Sequence, residues 1–188
     1  MALNIKRDNF YFSRDEIQDP IEREKKLFKN ISNKLSDIVD SSLGWRNILS
    51  KKDLAKVKSK KDLKYLPITR KSSLIEIQAN NPPFGELNTK GSNQFPYMFA
   101  SPGPIYEPGD EGDFWNMQRS LYAAGLRKDD IVYNTFSYHL GPAGIMLSNA
   151  ANCLGCSVVP GGIGNTDLQV ATIEALKPNF YIGTPSFL

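Results

Sequence analysis

The only histidine among the 188 residues, His139, follows Tyr138 and stands two residues before Gly141, a setting that suits acid–base or pocket duty. A lone histidine also serves as a satisfied structural residue, and the sequence leaves both roles open. Cys153 and Cys156 form a single C-x-x-C with no second pair beside it, so packing is the expected role rather than redox or zinc chemistry. Glu107, Asp110, Glu111 and Asp113 have the composition of a cation site. At the start of a helix, however, capping and dipole compensation are their expected use. Gly161, Gly162 and Gly164, followed by Asn165 and Thr166, offer backbone amides ahead of a helix, which suits a nucleotide. Turn geometry accounts for those glycines equally well. No catalytic residue and no metal ligand is assigned.

The elements that must position these groups differ between the two halves of the chain. Residues 20–40 predict a helix, with Ile21, Leu27, Ile31, Leu35 and Ile38 or Val39 on one face, Pro20 in its first turn and Asp19 as its cap. Short helical turns are predicted at 51–57 and 60–65, a capped turn at Thr69, and loop over 78–94. Residues 95–100 predict a strand running into the turn-rich SPGPIYEPGDEGD. A helix over 111–124 follows, carrying Phe114, Met117, Leu121 and Ala124 as its stripe and ending at Gly125. Strands are predicted at 131–136, 156–160 and 179–183. Between them lie helices at 142–154, with Ala143, Met146, Ala150 and Cys153 inward, and at 166–176.

Strands alternating with helices of this length predict an α/β fold: a helical leader, then part of a mostly parallel sheet with flanking helices. The expected domains are 1–94, mainly helical leader and loop, and 95–188, a partial βαβ-type subdomain. Ligands of open parallel sheets bind beyond the carboxyl ends of the strands. That rule gathers Phe136, Tyr138, His139 and Gly141–Gly144 at one strand end, Gly161–Asn165 at the next, and Thr184, Pro185 and Ser186 at the third.

Composition narrows the setting. At 40% apolar residues the chain can bury a core, and no apolar run approaches a membrane span. The first residues mix acids among bases and carry no apolar stretch, so no signal peptide is expected and a reducing, cytoplasmic location is the default. Residues 1–71 hold 18 Lys/Arg against 10 Asp/Glu, and residues 72–188 hold 5 against 10. A basic leader suits nucleic acid, but Tyr65 is the only ring in its Lys-rich stretch, and a solvated helical face is the expected reading. Neither membrane nor nucleic acid is the expected partner.

Several stretches together resemble the phenylacetate–CoA ligase-like branch of the adenylate-forming (AMP-binding) acyl/aryl-CoA ligases. LPITRKSSL resembles the family's lead-in. In the longer run AAGLRKDDIVYNTFSYHLGPAGIMLSNAANCLGCSVVPGGIGNTDLQ, the matching positions are Asp129–Asp130, Phe136, Tyr138, Gly144, Leu154–Gly155, Pro160, Gly164–Asn165–Thr166 and Gln169. The terminal GTPSFL resembles a family strand end followed by Thr-Pro-Ser. The resemblance covers roughly residues 60–188 and implies that Phe136 and Gly141 line the acid pocket. An aromatic often stands where this chain has Gly141, a departure that widens the pocket.

The phosphate loop departs further. The family pattern S-S-G-T-T-G-x-P aligns with Ser101–Pro108, where three prolines remove amide donors and Glu107 adds negative charge. Ser101, Gly103 and Tyr106 remain as the phosphate-loop equivalents in a weakened cradle.

The resemblance implies carboxylate activation: ATP and an organic acid give an acyl-adenylate, and CoA then displaces AMP as a thioester. ATP, CoA and Mg2+ are thereby implied for the parent enzyme. None is expected to bind tightly to these 188 residues, which are read as an N-terminal piece inactive alone, with self-association or a complementary C-terminal chain as its partner. The other reading is a non-catalytic acyl- or aryl-ligand binding or assembly module on the same scaffold.

Overall fold

The computed structural model describes residues 11–187, so the first residues, on which the signal-peptide expectation rests, lie largely outside the described residues. The chain divides into two compact units. One is Ile17–Pro108; the other runs from Gly109 onward and includes the short segment ending at Glu16. The change of composition at residue 95 is therefore not where compactness divides the chain.

In the first unit, α1 (Pro20–Ser41) begins as the sequence predicts, with Asp19 Oδ1 accepting from the amides of Ile21 (2.9 Å) and Glu22 (3.1 Å). Its buried stripe is set differently. Ile21 and Leu27 are 66% and 56% exposed, whereas Phe28 and Val39 are buried. The reason is that α1 packs on α2 (Leu43–Ile48) and α3 (Lys51–Leu54) through its C-terminal half, where Val39, Leu49 and Leu54 form the core with Leu35, Trp45, Ile48 and Leu66. A 3-10 turn at Lys60–Tyr65 precedes α4 (Lys71–Asn80), whose N-cap is Arg70 and not the Thr69 expected.

Strands β1 (Tyr97–Ser101) and β2 (Ile105–Gly109) pair across Pro102–Pro104, a connection short enough only for a hairpin. A strand thus replaces much of the turn-rich segment. The cause lies partly in Gln78, whose side-chain amide donates to the Tyr106 carbonyl and accepts from the Tyr106 amide, both at 2.8 Å. Gln78 thereby acts as a one-residue strand neighbour to β2.

The second unit holds α5 (Gln118–Ala123), β3 (Ile131–Asn134), α6 (Ala143–Cys153), β4 (Ser157–Pro160), α7 (Thr166–Leu176) and β5 (Phe180–Ile182). The three strands lie parallel in the order β4-β3-β5, with Tyr133 opposite both Val159 and Tyr181. Leu121, Leu126, Val132, Leu147, Ala150, Ala151, Cys156 and Ile182 form the core. The predicted helix over 111–124 shrinks to six residues because the Asp113 carboxylate takes the amides of Met117 (2.6 Å) and Gln118 (3.1 Å), capping a helix that starts later. Phe114 is consequently exposed.

Gly155 ends α6 with φ 83°, letting Cys156 N donate to Ala151 O (3.1 Å) and Gly155 N to Asn152 O (2.9 Å). This left-handed closure turns Cys156 into the core while Cys153, expected inward, faces solvent. No helix among the described residues is long and apolar enough to cross a membrane.

Candidate functional site

Because β4, β3 and β5 are parallel and adjacent, their carboxyl ends share one edge, as the sequence argument requires. Asn134, the last residue of β3, organises that edge and is fully buried. Its Nδ2 donates to Gly144 O (2.9 Å) and Ser148 Oγ (3.2 Å) on α6. Its Oδ1 accepts from Phe136 N (3.1 Å), and its carbonyl accepts from Gly162 N (3.0 Å) in the loop after β4. One side chain and its backbone thus join two strand ends to a helix start.

Tyr138 is the second joint. Its hydroxyl lies 2.6 Å from Ser148 Oγ, and its ring presses on Gly144, where an added Cβ would stand 2.9 Å from Tyr138 Cδ2 and 2.7 Å from Ser137 O. Gly144 is therefore a close-approach glycine. A Cβ at Gly162 would lie 3.8 Å from the same ring, so Tyr138 sits between the β3 and β4 loops. Burial pushes the Tyr138 phenol above its ordinary range, against the opposing hydrogen bonds from Ser148 and Asn134. It is a neutral hydroxyl at physiological pH.

The β5 end joins through hydroxyls: Thr135 Oγ1 donates to Tyr181 Oη (2.9 Å), which donates to Thr184 O (3.0 Å). On the β4 side, Tyr133 Oη donates to Gln169 Oε1 (3.0 Å), and Gln169 Nε2 donates to Gly164 O (2.6 Å). Burial raises the Tyr133 phenol as well.

Of the residues singled out from sequence, Tyr138, Gly144 and Gly162 meet directly, and Thr184 joins the edge through its backbone. Phe136 packs against the core cluster. His139, Gly164, Asn165 and Thr166 are exposed, and a Cβ at Gly141 would meet nothing closer than 4.0 Å. Asn165 sits at the N-cap of α7 with φ 50° but makes no capping bond.

In the other unit, Ser101 Oγ lies 2.7 Å from Glu107 Oε1 and 3.2 Å from Ile105 O, while the Tyr106 amide is committed to Gln78. Of the three phosphate-loop equivalents, Ser101 is thus engaged within the hairpin and the Tyr106 backbone by α4. Among the described residues no group of three or more His, Cys, Asp or Glu could hold a metal ion. Cys156 donates to Arg127 O (3.0 Å), and its thiol is pushed up chiefly by burial and then by the Asp130 charge, a packing role rather than a reactive one.

Sequence reasoning missed Asn134, Ser148, Thr135 and Tyr181. The available signal was polar side chains closing apolar strands, as in IVYN. The strand-end edge presents hydroxyls, amides and close-packed glycines.

The fold matches part of that of a solved CoA ligase. A solved 2-hydroxyisobutyryl-CoA ligase, in the postadenylation state with R3-HIB-AMP, superposes with TM-score 0.86 at 20% identity, covering 97% of this chain and 41% of that one. The same ligase in an open conformation with 2-HIB-AMP and CoA gives a TM-score of 0.86.

Sequence carries the identification further. The chain is 32% identical over 140 residues to the phenylacetate-coenzyme A ligase of Aromatoleum evansii, covering 70% of this chain and 31% of that enzyme. It is also 32% identical over 134 residues to the Thermus thermophilus enzyme of the same name, covering 67% and 29%. It is a phenylacetate–CoA ligase-like relative of the adenylate-forming ligases. The chain spans about 31% of the length of the first of these relatives. No protein-family model matches it.

Proposed function

We propose that this chain supplies part of an ATP-dependent carboxylate–CoA ligase. The observation that carries the reading is the 32% identity to phenylacetate-coenzyme A ligases on a chain whose strand ends converge on one edge. In the reaction, a carboxylate oxygen attacks the α-phosphorus of ATP and pyrophosphate leaves. The thiol of CoA then attacks the acyl carbon, and AMP leaves.

Phe136, Tyr138, His139, Gly141 and Gly144 are assigned to the acid, and Gly162, Gly164, Asn165, Thr166 and Thr184 to the nucleotide. Tyr138 supplies a neutral donor, and the glycines allow close backbone approach. Mg2+ would shield phosphate charge, but no described residues are assigned to hold it.

A second reading is favoured by one observation: the Ser101 hydroxyl is engaged within the 101–108 hairpin by Glu107, and the Tyr106 amide is taken by Gln78 of α4. On that reading the scaffold binds an acyl or aryl ligand, or assembles with another chain, without adenylation.

One experiment separates the two readings. These 188 residues replace the matched portion of the Aromatoleum evansii enzyme, and acid-dependent exchange of pyrophosphate into ATP is measured. Exchange supports the ligase reading. Exchange only after residues 101–108 are also replaced by the relative's own supports the second. Failure of both chimeras, when folded, removes the first. The 188-residue chain alone is expected to show no exchange.

A further inference from the structure

One face of α1 carries a groove that shares no residue with the strand-end set. Ile21, Lys25, Phe28 and Lys29 recur at helical spacing on that face, and Lys58 and Ser59 close its other side. One cleft, of about 410 Å3, is lined by Lys25, Phe28, Lys29, Asn33 and Lys58. An adjoining cleft of about 230 Å3 shares Lys25, Phe28 and Lys58 with it and adds Ile21, Glu24 and Ser59. Phe28 is buried and Ile21 exposed, so the groove has an aromatic floor and an aliphatic lip.

Its charge is mainly positive. Lys25 pairs with Glu22 at 2.7 Å, and Asp62 accepts from the amides of Lys58 (3.1 Å) and Ser59 (2.9 Å) and from the Ser59 hydroxyl (2.8 Å). Glu24 is the one acid on the lining among the described residues. Lys29 and Lys58 form no ion pair among them, and residues 51–64 hold seven Lys against two Asp. Phe28, the one ring on the lining, is buried, which argues against stacked nucleic-acid bases as the occupant.

The second unit presents the opposite surface. Asp110, Glu111 and Asp113 stand in the turn between β2 and α5, which reverses at Gly112 (φ 65°), and Phe114 follows, 43% exposed. Asp113 is committed to the Met117 and Gln118 amides, and Asp110 Oδ1 accepts from Glu111 N at 3.0 Å. Glu111 is exposed and forms no ion pair among the described residues; Arg119, the nearest base in sequence, lies 3.8 Å from Glu16. Trp115 braces the Phe114 ring edge-on at 4.9 Å. An acidic turn ending in an exposed ring thus complements a basic groove with an apolar floor, and the basic and acidic halves of the sequence carry the same complementarity.

We propose that this groove docks the 110–115 turn of a second copy of the chain. Phe114 enters against Phe28 and Ile21, and Asp110 and Glu111 meet Lys29 and Lys58. Groove and turn are different patches, so a copy gives its turn to one neighbour while its groove takes another's. The contact does not rest on the ligase reading, and unlike association through apolar surface it weakens with salt.

The test is sedimentation velocity of the full chain at about 0.05 M and about 0.5 M salt. Self-association should weaken at least about tenfold at the higher salt. Lys29→Glu with Lys58→Glu reverses the groove, and Glu111→Lys with Phe114→Ser disables the turn. Each double variant alone should lose the salt-sensitive association with its circular dichroism unchanged. Mixed in equal amounts they should associate again, since one keeps its turn and the other its groove. Lys29→Glu and Glu111→Lys singly, both at exposed positions, repeat the comparison where a double variant alters the dichroism.

Association that ignores salt, variants that associate as the parent chain does, or folded variants that stay apart when mixed would each overturn the proposal. Binding to phosphatidylglycerol vesicles that is abolished by Lys29→Glu with Lys58→Glu, with self-association unchanged, would give the groove another occupant and overturn it equally.

Discussion

Asn134 makes bonds from both ends of its amide inside a fully buried site, so truncation leaves donors and acceptors stranded. Asn134→Ala should cost roughly 1–3 kcal/mol, read as a lower urea midpoint, and a change within error would show that water replaces the amide. Glycines on the same edge should split sharply. Gly144→Ala drives a Cβ to 2.7 Å from Ser137 O and should cost about 1–3 kcal/mol in the same assay, whereas Gly141→Phe should fold normally. In an active chimera, Gly141→Phe should slow bulky acids more than small ones; an unchanged ranking across an acid series would place Gly141 outside the pocket. Tyr138 and Gly144 were legible because aromatic and glycine residues crowd a predicted strand end. Asn134 was not, since nothing in IVYN says that its amide will bridge a helix ten residues on.

Among the elements, the sheet of the second unit should respond to alkaline pH. Tyr133, Tyr138 and Cys156 all have folded-state values raised by burial. Their stabilisation is present in full below the unfolded values, about 8.5 for the thiol and about 10 for the phenols, and is lost as pH rises through the raised folded ones. Thermal midpoints should therefore fall above roughly pH 9, and Tyr138→Phe should remove part of the fall. An identical profile in that variant would assign the loss elsewhere.

The βα alternation was legible element by element, and α7 falls on the residues that its pattern predicts. What failed was local competition. Asp113 delayed a helix by capping it from within the predicted span, and Gln78 made a strand of a proline-rich segment by pairing from a distant helix. Both depend on side-chain bonds that periodicity does not encode.

For the whole molecule, α7 is the revealing element. It is tied to β3 through Gln169, while Leu168, Val170, Ile173 and Leu176 stay exposed. Strands β4 and β5 each have one neighbour among the described residues. Apolar helix surface beside unpaired strand edges promotes association. Sedimentation velocity on the 188-residue chain should show concentration-dependent oligomers, and amide exchange through residues 179–187 should be fast. A monodisperse monomer protected through that segment would mean that these surfaces are satisfied within the chain.

The strand order also sets a timetable. β3 lies at the centre of the sheet yet precedes both of its partners, and its last bonds come from far along the chain: Ile131 N donates to Asn179 Oδ1, 48 residues on. At ribosomal rates of about 5–20 residues per second, the central strand waits roughly 2–10 s after synthesis before its second neighbour exists. For that interval Val132 and Tyr133, buried in the finished protein, have an open flank on the β5 side. Newborn chains are most exposed to misassembly in that window, and a pause placed after residue 182 should matter less than one placed between the two strands.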